Sequence, residues 1–319
     1  MEERLQLEKV LTITENKIMV VNQIDAKGVE FMQIASLFNQ NRTIISLEVF
    51  PPKKTSPIDT IYKTLDNLKD IQPDFISVTY GAGGNAGDTS TADIASNILH
   101  KYGILPLAHL TCVNYTRQEI GQILNSLTEK GIKNVLALRG DINPEIPPKK
   151  EFTYASELVE YIKGKGGFYI SGACYPEGHV DSEEIDKDIE NLRLKVDAGA
   201  QHLISQLFFD NTHFYNFIEK VRGAGIKVPI QAGIMPIINK SQIERMVTLC
   251  GASLPSKFTK MMQRFEHSPE AIKEAGIAYA VDQIVDLVSQ GVDGIHLYTM
   301  NNPYVARRIN ESIKGIIHA

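Results

Sequence analysis

At 319 residues, with 43% hydrophobic and 22% charged residues, the chain has the composition of a globular protein that builds a large core without disulfides or structural metal. A formal net charge of -5, with no basic stripe or arginine cluster, argues against a nucleic-acid partner and for a small-molecule ligand. No apolar run reaches the roughly 18 residues that cross a bilayer, and the N-terminus lacks the basic-then-apolar layout of a secretory signal, so no membrane contact and a cytoplasmic location are expected.

Residues 1–41, of mixed charge and with a helical-looking stretch from Gly28 to Phe38, read as an N-terminal extension packed outside the domain that follows. Residues 42–319 then carry eight short apolar runs: Ile44 to Phe50, Phe75 to Tyr80, Leu105 to Val113, Asn134 to Gly140, Phe168 to Tyr175, His202 to Phe209, Val228 to Met235 and Gly294 to Met300. Amphipathic stretches such as Ile120 to Lys130 and Glu183 to Val196 fill the intervals, so strand and helix alternate throughout. Nearly continuous apolar runs suit strands buried on both faces. Eight of them close a parallel barrel, and the predicted fold is α/β, a (β/α)8 TIM barrel with an N-terminal extension; an open doubly wound sheet is the runner-up. Catalytic groups of such barrels gather at the C-terminal strand ends, where Glu48, Thr79, His109, Asp141, Tyr175 and Gln206 fall.

The long interval from Asn239 to Val292 holds more than one helix, one starting near Ser268 with Pro269 in its first turn. Asn143 to Pro148 reads as a loop. Cys112, Cys174 and Cys250 are odd in number and fit no ligand spacing, so buried or free thiols are expected and no metal site.

Several strand-end residues could carry chemistry. Glu48 stands in a strand that Pro51 and Pro52 end sharply; it is either a barrel carboxylate paired with Lys or Arg, or a carboxyl that burial keeps protonated as a general acid. Arg139, Gly140 and Asp141 end the fourth strand: the pair could simply cap it, or Asp141 could place a negative charge beside a bound ring, with the glycine leaving room for a ligand or another backbone. Asp188, Asn191 and Lys195 share one helix face, either as a solvated surface or as a grip on a ribityl or adenosine chain. No GxGxxG follows a strand, and Gly81-Ala82-Gly83-Gly84 lacks a Walker lysine, so it is a weak phosphate cradle.

With these residues in view, the chain resembles the methylenetetrahydrofolate reductases from about Thr43 to its C-terminus. The resemblance rests on strings in order: Leu47-Glu48-Val49-Phe50-Pro51-Pro52, Ser77 to Ala82, His109-Leu110-Thr111-Cys112, Ala137-Leu138-Arg139-Gly140-Asp141, Tyr154-Ala155-Ser156, Ala173-Cys174-Tyr175-Pro176-Glu177, Lys195 to Ala200, Gln206 to Asp210 and Gly233-Ile234-Met235-Pro236. It implies a non-covalent FAD, reduced by NADH or NADPH, that passes a hydride to 5,10-methylenetetrahydrofolate, both substrates using one flavin face in turn. It further implies FAD contacts from Thr79, His109, Arg139, Gly140, Asp141, Tyr154, Ala155, Tyr175, His179, Asp188, Asn191 and Lys195. Glu48 matches the general acid, Asp141 an acid that tunes the flavin and meets the pterin, and Gln206 and Tyr298 folate contacts. Leu194, Asn302 and Met246 depart from the family pattern, where an arginine, an arginine and an aromatic are found in other members. A homo-oligomer is expected, and no C-terminal regulatory domain or control by S-adenosylmethionine.

Two other readings compete. A flavin-free barrel lyase or aldolase would need a Schiff-base lysine or a metal set at strand ends, which the sequence does not offer. A non-catalytic folate- or flavin-binding subunit would not require the buried acid at Glu48.

Overall fold

In a computed structural model, which describes residues 10–14, 17–21, 33–53, 55–80, 90–142, 147–182 and 184–317, the eight apolar runs form a closed parallel barrel. A short antiparallel hairpin, β1 (Val10–Thr14) with β2 (Lys17–Val21), precedes it. The staves are β3 (Ile44–Val49), β4 (Phe75–Val78), β5 (Leu105–Thr111), β6 (Asn134–Leu138), β7 (Tyr169–Cys174), β8 (His202–Ser205), β9 (Ile230–Ile234) and β10 (Gly294–Tyr298). They follow one another around the ring, and β10 closes on β3 with Tyr298 beside Glu48 and His296 beside Ser46. No helix among the described residues is long and apolar enough to cross a membrane.

Helices α1 (Asp59–Leu68), α2 (Ser90–Tyr102), α3 (Arg117–Glu129), α4 (Ala155–Lys165), α5 (Ile185–Ala198) and α6 (Asn211–Gly223) each follow one strand. Between β9 and β10 lie three, α7 (Lys240–Cys250), α8 (Ser256–Phe265) and α9 (Pro269–Ser289), and α10 (Pro303–Ile313) ends the order. The start of α9 is where its sequence puts it, with the Ser268 hydroxyl accepting from Ala271 N–H and proline in the first turn. The loop 81–84 and residues 143–146 lie outside the described residues.

Strand periodicity sorts the side chains. Outward Ile45, Leu47 and Val49 pack with Ile61, Leu65 and Leu68 of α1 in the main core. The inward set divides by height. At the N-terminal end Ile44, Phe75, Leu105, Leu107, Leu136, Tyr169 and Ile204 make a separate apolar cluster. Above it the inward side chains turn polar: Ser46, Ser77, Ser171, Gln231 and His296 are all fully buried.

The extension does not stay outside the barrel. Its last residues, Ile34–Asn39, form a 3-10 turn, and Ile34 is fully buried within the lower cluster. The Ile34 N–H donates to Asn134 Oδ1 at 3.1 Å, and the Phe38 ring lies tilted at 33° against His202 with centroids 4.7 Å apart. The physical reason is that a barrel's lower mouth exposes apolar inward side chains that some segment must cover; Ile34 alone removes on the order of 1.5–3 kcal/mol worth of exposed side chain from water. The remainder of the helical-looking stretch, residues 28–32, lies outside the described residues.

Candidate active site

At the opposite, C-terminal end, the ring places Glu48 between two imidazoles. A carboxylate oxygen is 3.5 Å from His296 Nε2 and 3.6 Å from His109 Nε2, and the glutamate side chain is 17% exposed. The partner of Glu48 is therefore a pair of histidines, not the Lys or Arg considered from sequence. His296 is fixed from behind, its Nδ1 2.7 Å from Ser46 Oγ, which also donates to Gln231 Oε1 at 3.2 Å. Burial pushes the His109 imidazole down to about 4, against the attraction of Glu48, so that ring is neutral at physiological pH. His109 Nε2 is also a buried atom with no hydrogen-bond partner.

The end of β3 is clamped to the end of β10. Thr299 Oγ1 donates to Glu48 O at 2.6 Å, and the Asn301 side chain accepts from Phe50 N–H at 3.0 Å and donates to Phe50 O at 2.8 Å. Met300 and Asn301 both take left-handed backbone, φ 51° and 53°, a conformation that costs a residue such as methionine energy and is kept where neighbours enforce it. Tyr298 lies across the mouth, its hydroxyl donating to Ser205 O at 2.7 Å. Burial, and next the Glu48 charge, push that hydroxyl well above its ordinary range, so it stays a donor. Gly233 makes this possible: a Cβ there would lie 2.3 Å from Ser205 O and 2.8 Å from the Tyr298 ring. Gln206 is close by, its Oε1 accepting from Leu207 N–H at 2.9 Å.

A groove of about 740 Å³ opens beside this mouth, between the ends of β6 and β7 and helices α4 and α5. Of the twelve positions the resemblance assigned to FAD, Arg139, Tyr154, Ala155, Tyr175, His179, Asp188, Asn191 and Lys195 line it. Thr79, His109, Gly140 and Asp141 do not; His109 belongs with Glu48, and Asp141 is exposed on the rim. Arg139 pairs with Asp181 at 2.9 Å rather than with Asp141. The room left by Gly140 is room for Thr111, whose Cβ a Gly140 side chain would approach to 3.0 Å, and its φ of 87° favours glycine in any case.

Within the groove Lys195 Nζ donates to Ala173 O at 2.6 Å, and burial pushes its ammonium down from the usual lysine range. Gly172 admits that stem, since a Cβ would meet Lys195 Cδ at 2.8 Å. Asp188 accepts from His179 N–H at 3.2 Å, with burial pushing its carboxyl up. Tyr175 and His179 meet edge to face, centroids 4.6 Å apart, and burial raises the Tyr175 hydroxyl. Tyr154 and Leu194 stand on the walls largely exposed, at 63% and 57%.

On the other flank α7 and α8 form an apolar cover, with Met246, Phe258 and Met262 buried against Leu207, Phe209, Met235 and Ile237. Met246 is thus a core side chain of the cover. Asn302, the other departure, is the N-cap of α10, its side chain accepting from Val305 N–H at 3.3 Å. Cys112 and Cys174 are buried free thiols pushed up to about 12 by burial.

His296 is the site residue that motif reading missed. The signal was in the strand Gly294–Tyr298: two residues before Tyr298, it shares that residue's inward parity, and the closing pair carries it to β3.

A (β/α)8 barrel with a half-buried acid at its mouth and a groove of about 740 Å³ alongside defines the class: a barrel enzyme of small-molecule substrates. The sequence model of methylenetetrahydrofolate reductase matches residues 33–314, and the chain belongs to that family. It is 36% identical over 262 residues to a 5,10-methylenetetrahydrofolate reductase of Pectobacterium carotovorum subsp. carotovorum, covering 82% of this chain and 87% of that one. To the Arabidopsis thaliana protein named methylenetetrahydrofolate reductase (NADH) 1 it is 35% identical over 289 residues, 84% of this chain but 48% of that one; it thus spans about half the length of the plant relatives. Among solved structures, a Clostridium thermocellum protein described as binding two copies of 5-methyl-5,6,7,8-tetrahydrofolic acid aligns with TM-score 0.65 at 16% identity, over 89% of this chain and 98% of that one, a likeness of fold.

Proposed function

We propose that the protein reduces 5,10-methylenetetrahydrofolate to 5-methyltetrahydrofolate with NADH or NADPH as donor, through FAD and in ping-pong order. The observation that carries this reading is Glu48, a carboxyl between His109 and His296 at the closed seam of the barrel mouth. Opening the folate's five-membered ring to an iminium needs a proton delivered to the departing nitrogen, and a positioned carboxyl supplies it. The His109 ring, kept neutral by burial, sets no positive charge beside Glu48. His296, held by Ser46, keeps the carboxyl turned to the mouth, and the Thr299 and Asn301 clamps fix the strand end beneath it.

The groove fits FAD in size and in donor chemistry. Arg139 and Lys195 would meet the pyrophosphate, Asp188 and Asn191 the ribityl or ribose hydroxyls, and the walls at Tyr154 and Leu194 a flat ring; outside the groove, beside Glu48, His109 Nε2 is a buried atom with no hydrogen-bond partner. When bound, the flavin supplies the hydride chemistry, and the protein supplies orientation and field. Gln206 and Tyr298 would hold the pterin against the mouth, and Asp141, at the exposed rim, would meet it last. Replacing Asp141 by Asn is expected to slow folate reduction and shift the flavin potential; an unchanged potential would count against its place beside the ring.

The test is the visible spectrum of the purified protein. Flavin bands that bleach with anaerobic NADH or NADPH and return on adding methylenetetrahydrofolate are the expected result. A colourless protein that does not take up added FAD would overturn the reading in favour of a flavin-free enzyme or binding subunit.

A further inference from the structure

Three segments meet at the side of the mouth through residues that the chemistry above does not use. Glu177, in the loop between β7 and α5, is 15% exposed at its side chain. Its two carboxylate oxygens accept from the backbone N–H of Ser253, at 3.0 and 3.3 Å, in the loop between α7 and α8. His213 on α6 closes the triangle, with Nε2 3.6 Å from the Glu177 carboxylate and 3.1 Å from Ser253 Oγ. A second contact lies close by: Gly251, which ends α7 in left-handed backbone at φ 65°, would bring a Cβ to 3.1 Å from Val180 Cγ1.

The two loops belong to different halves of the site. Tyr175, His179 and Asp181 on one side of Glu177 or the other line the groove, and Asp181 is gripped by Arg139. Ser253 joins the two helices of the apolar cover, so the point that Glu177 holds is the turn between them. A carboxylate taking a backbone N–H makes a charge-assisted bond, roughly twice as strong as a neutral one, here with Glu177 half-buried and Ser253 at the surface. A ligand that fixes Tyr175 and His179 also fixes the residue between them, and with it the turn.

We propose that Glu177 is a positioning residue that registers the α7–α8 cover against the groove-lining loop, so that filling the groove with FAD orders the cover over the folate side of the mouth. The proposal rests on the flavin-dependent reading. Energetic coupling of this kind acts both ways, so a ligand under the cover would tighten FAD in return.

The test is hydrogen–deuterium exchange in residues 240–265 of the full chain, with and without FAD, for the unaltered protein, Glu177→Ala and Glu177→Gln, with flavin uptake followed in the same samples by fluorescence quenching. FAD is expected to slow exchange there by about fivefold or more in the unaltered protein and by less than about twofold in Glu177→Ala. Glu177→Gln should restore most of the effect, because its amide oxygen still accepts from Ser253 N–H. Ser253→Pro deletes that N–H and leaves the carboxylate; it should reproduce the loss, and it stands in if Glu177→Ala fails to fold. Equal protection in the Glu177→Ala or Ser253→Pro variant and the unaltered protein, or none in the unaltered protein, overturns the tether while flavin uptake stands. No uptake by the unaltered protein overturns the flavin reading and the tether together.

Discussion

The floor and the mouth of the barrel are built from the same strands, and differ in what the inward positions carry. On β3 the inward series runs Ile44, Ser46, Glu48; on β5, Leu105, Leu107, His109; on β10, Gly294, His296, Tyr298. Four residues of strand, about 13 Å, separate packing that Ile34 completes from a carboxyl between two imidazoles. Stability and chemistry can therefore be perturbed separately, and the difference is open to test from either end.

The sharpest break comes from the mouth. Glu48→Gln should lower the rate of folate reduction by about a hundredfold or more, while flavin reduction by the nicotinamide nucleotide and the melting temperature stay near their starting values. Stopped-flow measurement of the two half-reactions checks this, and equal loss in both would remove Glu48 from its role. At the floor, Ile34→Ala should destabilise the fold by about 2–4 kcal/mol through the cavity it leaves, read as a shift in urea midpoint, with turnover per folded molecule unchanged. A fall in turnover at constant folded fraction would mean that the two ends are not independent.

Between the two lies the groove. Lys195→Met should weaken FAD binding by about tenfold, the loss of one charged donor, with the urea midpoint little altered; an unchanged FAD affinity would take Lys195 out of the cofactor's reach.

The smallest effect sharpens the comparison by pH. Burial pushes His202 down to about 3 and His109 down to about 4, both below the ordinary histidine range. Their folded forms bind protons less readily than their unfolded forms, so the stability they contribute is present above about pH 6.5 and is lost progressively as pH falls toward those values. His202→Gln should flatten part of the fall in melting temperature between pH 6.5 and 4, and a slope identical to that of the unaltered protein would deny His202 a share in it.

Much of this was legible in the sequence because it is local. Strand after strand begins within two residues of its apolar run, and Ser268 with Pro269 starts α9 as its capping chemistry dictates. The face shared by Asp188, Asn191 and Lys195 follows from helical spacing alone, and all three line the groove. What was not legible depends on ring closure. His296 reaches Glu48 only because β10 pairs with β3 across most of the chain, and Arg139 chooses Asp181, far along the sequence, over its neighbour Asp141. Ile34 looks like a residue of an outlying segment until the lower ring of apolar side chains exists for it to fill.

That stopper has a bearing on traffic. With its base filled by Ile34 and Phe38, the described barrel meets a small molecule at the Glu48 end. Under the ping-pong order proposed above, donor and acceptor would share that end by turns, and the electrons would wait on the flavin in the interval.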